Sequence, residues 1–408
     1  MGKFLWDYAK KTDMFYLTLC VGSSVFAVII LISIGVTTIG GFTLDPSTGE
    51  IAGLGGYSRA FTQAVASLGG LVVAIIISKF DYRHLVKLWP VHVILTWGLV
   101  LPTLFFDNKK IGALTIGYSN GTENTSWYLI GGLSLQPTEL AKISFILTFA
   151  MHLNNVRTRI NEPKELAKLL LHMAIPAVIV QVQGDTGTAL IFLIIGAFML
   201  FMAGLSWKYI AAGASAVLIA GVTAFAFFSD SIGKNYQWMR IQAVLDPDNS
   251  TGWAATDAIY ELYTYQQQRG EISIGAGQIF GRGLFSGEYY YVPYVWNDFV
   301  LSWIGSTTGF IGCALVLIVL FCIIFRTLRT GLRSEDLLGT YICTGVAAAM
   351  LAQIFVNVGM NIGLMPVIGI TLPFYSAGGS SVAMLYISIG IVLSVYIHNQ
   401  KTLFGNEG

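Results

Sequence analysis

Charge is what this sequence has least of. Asp, Glu, Lys and Arg make up 11% of its 408 residues, where a soluble globular chain carries roughly 25%. That shortage excludes an ordinary water-soluble enzyme and a charged disordered protein. The remaining charges nearly cancel, at +1, so the basic face that nucleic acid requires is missing. Cysteine is scarce as well. Cys20, Cys313, Cys322 and Cys343 lie in apolar runs without CxxC spacing, which excludes a disulfide scaffold and makes them small core residues. No GxxxxGK[ST] or HExxH occurs, and Gly275-Ala276-Gly277 lacks the strand–turn–helix context of a nucleotide fingerprint. The five histidines (His84, His92, His152, His172, His398) show no ligand spacing. Sequons at Asn120, Asn124 and Asn249 matter only in a eukaryotic secretory pathway.

What fills the space is apolar. Hydrophobic residues reach 55% and glycines number 45, the pairing expected of helices that pack closely in lipid. A helix rises 1.5 Å per residue, so about 20 apolar residues span the hydrocarbon. The sequence predicts an all-α integral membrane protein, a single polytopic domain over residues 1–408 with ten transmembrane helices. They centre on Phe15–Ile39, Phe61–Ser78, Leu85–Phe106, Pro137–Leu153, Glu165–Val182, Thr188–Ala203, Trp207–Phe228, Phe299–Phe325, Thr340–Asn361 and Ser376–Ile397. Lys10 and Lys11 precede a first run longer than a signal-peptide core, so a retained helix is expected there.

Basic residues orient the chain. Lys79, Arg83 and Lys87, then Arg157, Arg159, Lys164 and Lys168, then Lys208, then Arg326, Arg329 and Arg333 fall in loops on one side, together with Lys3, Lys10, Lys11 and Lys401 at the termini. Fewer, spread over longer loops, fall on the other: Arg59, Lys109, Lys110, Lys234, Arg240, Arg269 and Arg282. By the positive-inside rule both termini face the cytoplasm. Two outer segments are long, Asp107 to Gln136 and Ser229 to Asn297, and loops beyond about 15 residues are usually functional or disordered. The second, between helices 7 and 8, carries Trp238, Ile241 and Leu245 at helical spacing and a run of aromatics from Tyr289 to Trp296. It is expected to fold back as a roof over the bundle.

Polar groups in lipid need a reason. Glu139 and Lys142 stand three residues apart at the start of the fourth helix; they could pair and line a polar cavity, or Glu139 could simply face the positive end of the helix dipole. Asp185, between two helices, could cap the sixth. Asp298 opens the eighth, either as an N-cap or as a reactive carboxylate at the roof's edge.

Taken together these stretches resemble the RodA/FtsW/SpoVE family of bacterial shape, division and sporulation proteins. The resemblance is carried by Ser78 to Arg83, by Leu135-Gln136-Pro137-Thr138-Glu139-Leu140-Ala141-Lys142, and by Asp185-Thr186-Gly187-Thr188-Ala189. Arg240-Ile241, Leu245-Asp246-Pro247, Tyr265-Gln266, Ile274 to Gly277 and Phe280 to Leu284 follow in family order. Asn357 to Val367, Leu372-Pro373-Phe374 and Gly378-Gly379-Ser380-Ser381 close it. The resemblance implies a peptidoglycan glycosyltransferase of the bacterial cytoplasmic membrane. Such an enzyme polymerises lipid II, an undecaprenyl-diphosphate-linked disaccharide-pentapeptide, at the outer face beside a class B penicillin-binding protein. Asn297-Asp298-Phe299-Val300 aligns with the stretch holding the family's catalytic aspartate, which makes Asp298 the catalytic candidate. Substrate contact is implied for Glu139, Lys142, Asp185, Thr188, Arg240, Gln266 and Arg269, and for Gly275, Gly277, Asn361, Ser380 and Ser381.

The chemistry asks for such groups. An α-linked donor becomes a β-1,4 product, so a single displacement needs a base at the acceptor hydroxyl and donors for the departing diphosphate. Arg240, Arg269 and Lys142 are cationic candidates for the latter, and a divalent cation such as Mg could share the task. The sequence shows no dedicated metal cage, and no cofactor is otherwise expected. The chain departs from the family at Pro293-Tyr294, Thr307-Thr308, Gly184, Ser126-Trp127 and Arg269-Gly270. A lipid II flippase and a non-catalytic scaffold for a penicillin-binding protein remain the alternatives.

Overall fold

The structure, a computed structural model, describes residues 2–40, 55–119, 125–131, 133–216, 219, 223 and 236–399 except 251, 253, 255 and 289. The seventh expected helix is helical over 207–216. Most of its remainder, the first residues of the roof, Lys234, Tyr289, Lys401, Asn120 and Asn124 lie outside the described residues.

The other nine expected segments fall on helices. A short α1 (Gly2–Lys11) precedes α2 (Met14–Gly40), α3 (Gly55–Lys79), α4 (Tyr82–Lys87), α5 (Trp89–Val100) and α6 (Pro102–Phe105). After a sheet come α7 (Pro137–Val156), α8 (Pro163–Val182) and α9 (Thr186–Met202). The long segment read from the sequence as a roof supplies α10 (Tyr236–Leu245) and α11 (Asp257–Ala276), followed by α12 (Val300–Leu332), α13 (Leu337–Asn361) and α14 (Gly379–Asn399). Among the described residues α2, α3, α8, α12, α13 and α14 are each long and apolar enough to cross a membrane, with Trp89–Phe105 and Thr186–Met202 shorter. This is a multi-pass, mostly helical membrane protein.

One expectation needs correcting: the protein is not all-α. Residues 109–135 form an antiparallel four-stranded meander, β1 (Lys109–Ile111), β2 (Leu114–Tyr118), β3 (Trp127–Ile130) and β4 (Leu133–Leu135). The cause is local. Leu114-Thr115-Ile116 and Trp127-Tyr128-Leu129-Ile130 are short β-branched and aromatic runs. Gly112 (φ +62°) and Gly131 (φ +56°) open the two-residue turns that join the outer pairs. The eighth helix also outruns its expected end. Arg326 Nη2 binds Asp13 Oδ1 at 2.9 Å and Thr327 Oγ1 donates to the Tyr16 hydroxyl at 3.0 Å, tying the extra turns to α2.

Small residues let the helices close. A Cβ on Gly390 of α14 would stand 2.7 Å from the Ala74 Cα of α3, and one on Gly70 would stand 2.9 Å from the Tyr386 Cβ. The same principle breaks α12. Gly309 (φ 68°, ψ −167°) interrupts the helix, and the chain after α11 fills the gap. The carbonyls of Ser306 and Thr307 accept from the N–H groups of Arg282 and Gly283 at 3.0 and 2.9 Å. In return the N–H groups of Phe310 and Ile311 donate to Gln278 and Ile279 at 2.8 and 3.2 Å. These four backbone groups beside the break thus find partners, as lipid demands. That Gly309 conformation is nearly closed to other residues, and a Cβ there would meet Ile279 and Gly281 backbone. Gly309→Ala is therefore expected to cost about 2 kcal/mol or more. A melting curve should show it, while Gly22→Ala, with open space around it, should leave the curve in place.

Candidate active site

Asp298 lies where the roof turns into α12. Val292, Val295 and Phe299 are buried around it and anchor the turn. The N-cap of α12 is Phe299, without a side-chain cap, so the capping role open to Asp298 is not the one it plays. Two amides from α13 hold its backbone instead. Asn357 Nδ2 and Asn361 Nδ2 donate to the Asp298 carbonyl at 2.8 and 2.9 Å. Asn361 Oδ1 in turn accepts from Ser302 N at 3.1 Å and Ser302 Oγ at 2.7 Å. The clamp grips the main chain and leaves the carboxylate to other uses. Burial pushes that carboxyl up to about 6, outweighing the pull of its own N–H and of the Arg240 cation.

A second polar cluster stands at the start of α7. Lys142 Nζ meets Glu139 Oε1 at 2.8 Å with both side chains about nine-tenths covered. Beside it Gln136 Nε2 donates to Asp185 Oδ2 at 2.8 Å, and Thr188 N donates to Asp185 Oδ1 at 2.9 Å. Asp185 does cap α9, and it also ties α9 to α7. Glu139 and Lys142, with Gln353, Thr371, Phe374 and Ser381, border a cavity of about 40 Å³. That holds about one water.

The segment 362–378 joins the two clusters. Its Ile370 carbonyl accepts from Asn357 Nδ2 at 2.7 Å, and its Val367 carbonyl accepts from Arg240 Nη1. Gln63 of α3 grips the far end, donating to Phe374 O at 2.8 Å and accepting from Gly378 N at 3.1 Å. Ala377 N donates to Trp296 O at 2.7 Å, and the Arg59 guanidinium lies 3.7 Å from the Trp296 ring centroid. One short stretch of chain therefore contacts both the cavity wall and the Asp298 turn.

The remaining candidates hold the roof. Gln266 Nε2 donates to Pro293 O at 3.0 Å and Arg269 Nε to Tyr291 O at 2.9 Å, so α11 secures the strand leading to Asp298. Gly270 brings α11 so close that a Cβ would lie 2.7 Å from the Phe299 ring. Gly277 packs directly on the Gly305 carbonyl, whereas Gly275 faces open space. Thr307 and Thr308 turn their hydroxyls onto the Trp303 and Ile304 carbonyls at 2.8 and 2.6 Å, beside the break in α12. Ser380 sits in the first turn of α14. The structure thus groups Glu139, Lys142, Asp185, Thr188 and Ser381 at one cluster and Asp298, Asn361 and Arg240 at the other. Gln63, Asn357 and Gln267, which donates to Met360 O and Met365 O at 3.0 Å each, were not singled out in the sequence. Their signal was available: an amide side chain inside or beside an apolar run.

A bundle of long apolar helices with a buried carboxylate at the start of one of them defines a membrane-embedded protein with polar groups gathered at one end. The comparisons make the class specific. A family model described as "Cell cycle protein", covering FtsW, RodA and SpoVE, matches residues 23–401. The chain is 31% identical over 339 residues to the "Probable peptidoglycan glycosyltransferase FtsW" of Geobacter sp. (strain M18), covering 82% of this chain and 85% of that one. It is 30% identical over 278 residues to "Peptidoglycan glycosyltransferase MrdB" of Escherichia coli (strain K12), covering 67% and 71%. A chain from a structure titled "Structural coordination of polymerization and crosslinking by a peptidoglycan synthase complex" shares its fold, with TM-score 0.68, 24% identity and coverage of 92% and 97%. This chain belongs to the FtsW/RodA/SpoVE family.

Proposed function

We propose that the protein polymerises lipid II at the extracytoplasmic face of the membrane, with Asp298 as the general base. It is a peptidoglycan glycosyltransferase of cell-wall synthesis, as its named relatives are. The observation that carries the catalytic assignment is the setting of Asp298: a buried carboxylate whose main chain, not its side chain, is clamped by Asn357 and Asn361. In the reaction the acceptor's 4-hydroxyl attacks the anomeric carbon of the donor, and its proton passes to Asp298. The bond to the lipid diphosphate breaks as the β-1,4 bond forms, inverting the centre. Lys142, Arg240 and Arg269 are the side chains assigned to the diphosphate. A divalent cation such as Mg, carried by the diphosphate itself, could share that task. Ten spans, cytoplasmic termini and a class B penicillin-binding protein partner complete the reading, supported by the basic-residue bias and the family.

The pH profile tests the base. A base works deprotonated, so kcat/KM should hold level at neutral pH and fall about tenfold per pH unit below about 6. An ordinary carboxylate would hold its rate to about pH 4. Removing the nearby cation favours the protonated form, so Arg240→Met should move the falling limb to higher pH. A limb that ignores Arg240, or a flat profile down to pH 4.5, would remove Asp298 from the role.

A further inference from the structure

We propose that the end of the bundle opposite Asp298 holds a second site, a lateral pocket that takes one phosphate-headed membrane lipid of net negative charge. A cavity of about 510 Å³ lies between α5, α7 and α8, within the size range of small-molecule sites, about 300–1,000 Å³. It is bordered by the far end of α7, from Ser144 to Asn155. Asn155 is sixteen residues beyond Glu139, about 24 Å along the helix axis at 1.5 Å per residue. The pocket runs from the middle of α7 to its far end and shares no lining residue with the cavity at Glu139 and Lys142.

Its walls and its polar end differ in kind. Trp89, Leu171 and Ile175 form the rim and are 45%, 60% and 49% exposed. In a membrane that exposure is to lipid, so the pocket opens sideways and its occupant arrives from the bilayer. The polar end is built from α7 and α8 together. Thr148 donates to Ser144 O at 3.0 Å, which leaves its oxygen to accept from His172 Nε2 at 3.2 Å. His172 Nδ1 then accepts from His152 Nδ1 at 3.1 Å. Two groups at this end keep donors, the Asn155 amide and Lys168, while His152 Nε2 keeps only a lone pair. The Lys168 ammonium spends one donor on Glu165 at 2.9 Å and keeps two. One cation with further donors at the mouth, above an apolar slot, matches a headgroup with several anionic oxygens on a hydrocarbon chain. A phosphate diester on acyl or prenyl tails has that form. A lipid here would brace α5 against α7 and α8.

Native mass spectrometry of the purified full chain, taken from bilayers of mixed phosphatidylglycerol and phosphatidylcholine, reads the site. One retained phosphatidylglycerol per chain is expected, over phosphatidylcholine. Lys168→Gln with Asn155→Leu should lower that retention about tenfold, as loss of a charge-assisted contact does. Thr148→Phe fills the pocket from its inner wall and Leu171→Trp narrows it from the rim; each should abolish retention while the melting curve stays near wild type. Two variants from opposite sides keep the test sound if one folds poorly. Equal retention of both lipids, or wild-type retention in a folded Leu171→Trp chain, would overturn the proposal. Displacement by millimolar inorganic phosphate would mark a soluble-anion site and overturn it too. None of these results touches the role of Asp298.

Discussion

Lys142→Met is expected to destabilise the protein by about 3–5 kcal/mol, because it strands a buried carboxylate. The ammonium and Glu139 Oε1 are 2.8 Å apart and nearly covered, so neither can turn to water when its partner is lost. The effect belongs to the pair and not to either residue. Glu139→Gln combined with Lys142→Met removes both charges, and most of the lost stability should return. The recovery is expected to be partial, since Lys142 also faces the buried Asp185. Melting curves of the two single variants and the double variant form the cycle. Strictly additive losses would mean that the pair is not coupled. Activity separates a second role: the double variant should melt near wild type yet polymerise poorly, because a cation at the cavity wall is gone.

Asp298→Asn should lower polymerisation by about 10²–10⁴-fold, the usual contribution of a positioned base. Its fold should survive, for a reason visible in the structure. Asn357 and Asn361 bind the carbonyl of residue 298, which an asparagine supplies equally well, and the new side chain is isosteric. Lipid II affinity should change little, so the loss should appear in kcat more than in KM. By contrast Asn361→Leu attacks the clamp itself. It leaves the buried Ser302 hydroxyl without its acceptor and frees the Asp298 carbonyl from one of its two amides, and should lower both stability and rate.

Much of this was legible in the sequence, for identifiable reasons. Long apolar runs such as those under α2 and α13 leave a chain few alternatives, and their helices appear where expected within a few residues. Trp238, Ile241 and Leu245 announced α10 by spacing alone. The meander at 109–135 was not anticipated, because its strands are three to five residues long and their pairing is a contact between segments. Helix α11 was hidden for a different reason. Its face is polar and aromatic, so it lacks an apolar period, and only Thr256, whose hydroxyl caps it by accepting from Ile259 N at 3.3 Å, marks its start.

Site residues divide the same way. Glu139 and Lys142 share one helical turn, so their pairing follows from the spacing. The contacts from Asn357 and Gln63 join residues 59 and 311 positions away, and no local pattern encodes a partner that distant. The departures at Gly270 and Thr307-Thr308 gain a local meaning: one lets α11 approach Phe299, and the others satisfy carbonyls beside the break in α12.

The central claim is that the Asp298 carboxylate drives glycan synthesis from lipid II. Its most direct test is a polymerisation assay with purified protein in liposomes, its penicillin-binding partner present with the crosslinking activity blocked, and lipid II as the sole substrate. The wild type should yield β-1,4-linked strands, and an Asp298→Asn chain with an unchanged melting curve should yield essentially none. Strands made by that folded variant at the wild-type rate would contradict the account.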